Sequence, residues 1–266
     1  MNKNEILSEL NSLKQKFREG KIERIKYINS MYNYHKILFD YSEFLNGTDI
    51  KKIEIIDNDV IMTSRQHEIK IICMKDDIRS MPLETLSLDY YEKNDTQMMY
   101  DLIEDDFTMF DIGANIGWYS IGIAKQEKNI NVYSFEPILK IFKNLKTNLK
   151  LNKLHNVKIF NYGFYNENKK LDFYYYPNGS GYSSNIPFPG KEGFEKVQCE
   201  LLVLDEFVNK NEIHKIDFIK CDVEGAELFV FQGGVKVIER FKPIILTEIS
   251  RINQSKFSYH PNKLIK

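Results

Sequence analysis

One stretch constrains the chain more than any other: Phe110-Asp111-Ile112-Gly113-Ala114-Asn115-Ile116-Gly117-Trp118-Tyr119-Ser120. An apolar run, Thr108 to Ile112, breaks into a turn with two glycines four apart, and a helix-compatible run, Trp118 to Gln126, follows. That order predicts a strand, a tight glycine turn and a helix start. Gly113 can take backbone angles closed to other residues and leaves no Cβ in the way of a ligand. The free N–H groups of the first helical turn point into the same space, with the positive end of the helix dipole. Asp111 is expected at the strand's carboxyl end, where open α/β sheets bind ligands.

The glycine spacing separates ligand classes. A dinucleotide fold uses G-x-G-x-x-G, and a phosphate loop uses G-x-x-x-x-G-K-[ST]. Here the pattern is Gly113-x-x-x-Gly117 with no lysine after it. The missing third glycine disfavours an NAD-dependent dehydrogenase. An acidic residue before the glycines repels a phosphate and suits an ammonium group. About 20 residues on comes a second acidic strand end, Ser134-Phe135-Glu136-Pro137, where a carboxylate can take both hydroxyls of a ribose. Adenosine with an amino-acid tail and no phosphate describes S-adenosylmethionine. The competing reading is an ordinary βα turn with two solvated carboxylates.

Composition narrows the setting. A chain of 266 residues with 42% hydrophobic and 28% charged content reads as a soluble globular protein of one or two domains. Lys+Arg 37 against Asp+Glu 38 leaves no global attraction to nucleic acid. Cys73, Cys199 and Cys221 lie far apart and form no C-x-x-C, which points to a reducing compartment rather than a disulfide framework or zinc site. No window approaches the ~18 apolar residues of a membrane span, and no signal-peptide pattern opens the chain. A cytoplasmic protein without a membrane span is expected.

Three regions are expected in order. Residues 1–50 read as a helical segment: Ile6, Leu10, Leu13 and Phe17 form one apolar stripe, Gly20 interrupts, and a run from Lys21 to Leu45 ends at Asn46-Gly47. Its aromatics, among them Tyr27, Tyr32 and Phe39, can dock on the catalytic core or on a second subunit, so a homo-oligomer through these helices is one expectation. Residues 51–94 form a small β/helix pre-core region. Ile53–Ile56 and Val60–Thr63 flank Asp57-Asn58-Asp59 as a hairpin, Glu68–Cys73 adds a strand, and a helix runs Leu83 to Lys93 after a break at Pro82. Residues 95–266 form the cofactor domain, opened by a helix Thr96–Glu104 that Asp95 can cap. Its further elements are a lysine-studded helix Leu139–Leu151, a strand Val157–Phe160 ending at Gly163 beside the adenine, and a strand Leu171–Tyr176. A Gly/Pro/Ser-rich loop Pro177–Gly193 and a strand Val197–Val203 come next. Strands alternating with helices imply α/β architecture with a doubly wound, mainly parallel sheet.

The second chemical centre is Ile216-Asp217-Phe218-Ile219-Lys220-Cys221-Asp222-Val223-Glu224-Gly225-Ala226-Glu227. An apolar strand delivers Asp222 to its carboxyl end, and Glu224, Gly225 and Glu227 turn into a helix running to Gln232. Carboxylates crowded at a strand end can hold a cation, a substrate hydroxyl or the cofactor's amino group, and crowding raises a carboxyl toward the range of a general base. The alternative for Glu224 and Glu227 is a favourable place in the first helical turn. Ile244 to Glu248 is the next strand, ending again in a carboxylate.

Asp111 to Gly117, Phe135-Glu136-Pro137 and Ile219 to Glu227, in this order and spacing, resemble the FkbM-type S-adenosylmethionine-dependent methyltransferases. The resemblance covers roughly residues 95 to 250, with Asp222-Val-Glu-Gly-Ala-Glu227 its specific part. It implies a Rossmann-like class I methyltransferase sheet and methyl transfer, mostly to hydroxyl oxygens of sugars, glycans and natural products. By motif position, Asp111, Gly113, Asn115 and Gly117 would line the methionine end of the cofactor, Glu136 its ribose, and Asp222 and Glu224 the transfer cleft. Asp222 or Glu224 would take the hydroxyl proton. A Mg²⁺ shared by Asp222 and Glu248 is a disfavoured version, because Ile249 offers no further ligand. Such folds close with two antiparallel strands, and the stretch after Glu248 is too short for them. That shortening keeps open a non-catalytic binding or assembly module. The acceptor is expected to be a small molecule or glycan, not nucleic acid, since the Asn/Asp-Pro-Pro-aromatic motif of amino methylation is missing.

Overall fold

The computed structural model describes residues 5–126 and 128–265. Three helices come first, α1 Glu5–Arg18, α2 Arg24–His35 and α3 Ile37–Phe44. Gly20 (φ 67°) stops the first: its N–H and that of Lys21 turn back to the carbonyls of Phe17 and Lys16. The Phe17 and Tyr27 rings stack at 4.4 Å between α1 and α2. The run expected as one helix from Lys21 to Leu45 is two, parted at Lys36 with neither Gly nor Pro to mark the break. The chain up to Thr48 forms one compact unit, and Asp49 onward forms another.

The second unit opens with an antiparallel sheet, β1 Ile50–Ile56, β2 Asp59–Ser64 and β3 Lys70–Cys73. The Ile56–Asp59 pair closes the hairpin over Asp57-Asn58. Two helices follow, α4 Met81–Leu88 and α5 Lys93–Leu102. Pro82 sits inside the first turn of α4, where its missing N–H costs nothing, rather than before it. Asp89 takes a positive φ of 69° and ends that helix, so the run expected through Lys93 is broken. Asp95 lies within the first turn of α5 and is not its cap.

The central sheet begins with β4 Thr108–Ile112, α6 Trp118–Ala124, β5 Asn131–Phe135, α7 Leu139–Leu151 and β6 Val157–Phe160. The chain then leaves it for a second sheet of β7 Gly163–Tyr165, β8 Lys169–Tyr175 and β9 Glu195–Val203, ordered β7-β9-β8. After α8 Leu204–Lys210 it returns with β10 Phe218–Cys221, crosses α9 Glu227–Gln232 and α10 Val235–Phe241, and adds β11 Ile244–Thr247. The five central strands are parallel, in the order β11-β10-β4-β5-β6. Every residue of β4 and β10 is buried, as expected of strands covered on both faces. The winding reverses between β4 and β10, and ligands bind at such switch points. After β11 come helices α11 Arg251–Lys256 and α12 Asn262–Ile265 rather than further strands. Among the described residues no helix is long and apolar enough to cross a membrane.

Candidate active site

Register brings three turns together. Ile112 lies beside Phe135 on one side and Cys221 on the other, so the residues after β4, β5 and β10 meet at one sheet end. They line a cleft of about 420 Å³. Gly113, Asn115, Glu136, Gly163, Asp222 and Glu224 all face it.

Glu136 is the best-ordered acid there. One carboxylate oxygen accepts from the Asn115 N–H at 3.1 Å and the other from the Ile138 N–H at 2.9 Å. Burial raises its pKa to about 7, against the lowering effect of those bonds. Asn161 donates to the carbonyls of Glu136 and Pro137 and holds the turn. Asn115 sits in the left-handed region (φ 49°), and its side-chain oxygen is buried without a partner.

Two expected cofactor residues do not reach the cleft. Asp111 is fully buried: Ser120 donates to one carboxylate oxygen, and the Lys220 ammonium lies 3.6 Å from the other. Gly117, φ 95°, serves packing, because a Cβ there would meet Leu145 Cδ1 at 2.5 Å. Gly113 does line the cleft, yet what forbids its Cβ is the Asp222 carbonyl oxygen, 1.9 Å away. The N–H groups of Gly113 and Ala114 are both engaged by the Phe135 carbonyl.

Lys220 is the residue that sequence reasoning passed over. It interrupts a buried apolar strand, and that interruption was the available signal. Its ammonium donates to the Gly113 carbonyl at 3.1 Å and lies 3.5 Å from Asp222. Burial pulls its pKa down, and Asp222, Asp111 and Glu92 outweigh burial and hold it above the ordinary lysine value. Lys220 therefore ties the turn after β4 to the acid after β10.

Glu224 follows with a positive φ of 58°, and Gly225 continues at 105°, where a Cβ would strike the Asn253 carbonyl at 2.3 Å. Burial, then Asp222 and Glu248, push Glu224 up to about 9. Glu227 shapes the turn: one oxygen accepts from the N–H groups of Val223 and Gly225, the other from Gln254 and Tyr259. Asp222, Glu227 and Glu248 present oxygens within 4.8 Å of one another. Four donors already occupy Glu227, so a cation would have to rely on the other two. The loop Pro177–Gly193 supplies Ser180, Tyr182 and Phe188 to the cleft wall. It is anchored where Asp77 accepts from the Ser180 N–H and Arg79 donates to the Tyr182 hydroxyl.

A ligand fit follows from the free groups. An unpartnered amide oxygen at Asn115 and an oriented, half-free carboxylate at Glu136 match an ammonium and a ribose diol. A phosphate at the start of the glycine turn meets the N–H groups of Gly113, Ala114 and Asn115 already engaged by Phe135 and Glu136.

Comparison with known proteins gives four findings. The methyltransferase FkbM domain matches residues 111–264. The methyltransferase sdnD of Sordaria araneosa is 30% identical over 173 residues, 54% of this chain and 67% of that protein. The hexuronic acid methyltransferase AglP of Haloferax volcanii is 24% identical over 155 residues, 58% of this chain and 61% of that protein, so the chain spans less than two thirds of it. Among solved structures, SMU.1697c of Streptococcus mutans in complex with SAH aligns at a TM-score of 0.39 and 9% identity, covering 65% of this chain and 77% of that one.

Proposed function

The chain belongs to the FkbM methyltransferase family, and from that premise we propose that it is an O-methyltransferase acting on a hydroxyl of a sugar, glycan or natural product. S-adenosylmethionine is the cofactor, and when bound it supplies a sulfonium methyl group that is already electrophilic. The observation that carries the reading is the convergence of Asn115, Glu136 and Asp222 on one cleft at the switch point.

In this reading Glu136 takes the ribose hydroxyls on the carboxylate that Asn115 and Ile138 aim. The Asn115 side-chain oxygen takes the amino group. Asp222, held by Lys220, orients the acceptor hydroxyl and receives its proton. Glu224, raised to about 9, starts protonated at neutral pH and orients the acceptor rather than serving as first base. Positioning and exclusion of water supply the acceleration. The name of the Haloferax relative supports a sugar acceptor.

The test is calorimetric titration with S-adenosylmethionine, followed by an acceptor screen over sugars and glycans. Saturable binding, lost in Glu136→Ala, together with methylated product that falls at least about a hundredfold in Asp222→Asn, is the expected result. A folded protein that does not bind the cofactor would overturn the reading.

A further inference from the structure

The unit that ends at Thr48 carries apolar side chains that it does not cover. Among the described residues, none in α1, α2 or α3 is buried. α2 turns one face to α1, where Tyr27 stacks on Phe17 and the Tyr34 hydroxyl donates to Glu9. Its other face presents Ile25, Ile28 and Tyr32. Lys36, between α2 and α3, keeps helical angles (φ −59°, ψ −25°), so this face runs on to Phe39. The steps of three, four and seven residues make one row. Its four members are 46–66% exposed, and Leu38 beside them is 61% exposed. α3 also exposes Ile37, Tyr41 and Phe44. A helix apolar on so many sides belongs in an interior, and a unit this short buries too small a share of its surface to supply one.

The charges say what covers the row. α2 holds Arg24 and Lys26 and no acid, while α3 holds Asp40 and Glu43 and no base. We infer that residues 24–44 form the contact between two copies of this chain, the row Ile25, Ile28, Tyr32 and Phe39 of each laid antiparallel on that of the other. This arrangement brings the basic end of each row to the acidic end of the other, whereas a parallel pair sets like charge on like. It has two-fold symmetry, so one self-complementary surface serves both copies. Half-exposed side chains of this size leave on the order of 100 Å² each. The row and Leu38, with the stems of Arg24 and Lys36, therefore approach the ~600 Å² per partner at which stable interfaces begin.

The experiment is sedimentation equilibrium on the full chain, with circular dichroism on every variant. The wild type is expected to be a dimer. Tyr32→Glu and Phe39→Glu, at exposed positions, should each raise the dimer Kd at least about a hundredfold with helix content unchanged. Charge exchange tests the direction of pairing. Asp40→Lys with Glu43→Lys should weaken the dimer about tenfold, and adding Arg24→Glu with Lys26→Glu should bring the Kd back to within about threefold of wild type. The exchanged charges also suit the helix ends on which they fall. A wild-type chain that stays monomeric at about 100 μM would overturn the inference and leave the row to another partner. A dimer that survives both Tyr32→Glu and Phe39→Glu would overturn it by placing the contact elsewhere. A double charge variant as tight as wild type, or a quadruple variant no tighter than the double, would overturn the antiparallel pairing.

Discussion

Glu136 sits where one proton decides what the cleft can hold. Two backbone N–H groups favour its carboxylate, and burial outweighs them and brings its pKa to about 7. A protonated Glu136 cannot accept from both ribose hydroxyls. Affinity for S-adenosylmethionine should therefore fall about tenfold as pH drops from 8 to 6, and Glu136→Gln should bind weakly with that dependence gone. Linkage fixes the sign for the ligand-free fold. The folded state holds this proton between the ordinary carboxyl value of 4.5 and about 7, so the contribution is favourable at low pH and is lost as pH rises through that window. A titration series across that range, read with wild type and variant, checks both. Lys220 gives a second case. Removing it leaves Asp111 buried beside an uncompensated Asp222. Lys220→Met should cost about 3 kcal/mol, measured as a lower urea midpoint with unchanged slope. Glu136 was legible because its place is set by distance along the chain from the glycines. Asp111 lies at the strand end as expected, but its burial was not legible, because strand alternation says nothing of Ser120 or Lys220, which reach it from a helix and a neighbouring strand.

Among the elements, β4, α7 and β6 fall where the apolar pattern puts them, at Thr108–Ile112, Leu139–Leu151 and Val157–Phe160. Boundaries set by backbone angles were less legible. Asp89 and Glu92 both take positive φ without being glycine; they end α4 at Leu88, short of the expected Lys93, and let α5 start at Lys93, ahead of the expected Thr96. β7 was missed because Gly163 reads as the end of β6, although a register partner, Leu201, makes it the start of another sheet. The two glycines of the turn after β4 differ in what they protect. At Gly113 a Cβ meets backbone, the Asp222 carbonyl. At Gly117 it meets the tip of a leucine that can move. Both have positive φ, so both substitutions strain the chain. Gly113→Ala should cost over about 3 kcal/mol and Gly117→Ala about 1–2 kcal/mol, compared by chemical unfolding. The reverse order would show that the β4–β10 approach is looser than drawn.

At the scale of the whole molecule, the two glycine and acid motifs sit on different strands, 108–112 and 218–221, separated by a second sheet that neither motif announces. What made their meeting legible is topological. In a doubly wound sheet the first and fourth core strands are neighbours, so a turn after one must face a turn after the other. The place of Asn253 on the cleft wall was not legible this way, because it goes with a close approach of the Asn253 backbone to Gly225. Every cleft residue lies between Arg79 and Asn253, inside the unit that starts at Asp49. That unit also holds the four buried clusters that carry the core, none of which draws on a residue before Ile69. A chain beginning at Asp49 should therefore fold and bind S-adenosylmethionine with a Kd within about threefold of the full chain. Circular dichroism and calorimetry on the two chains test this. Loss of cofactor binding in a folded shorter chain would mean that the helices before Thr48 contribute to the cofactor site. Retained cofactor binding with a lost acceptor preference would place their contribution on the acceptor side.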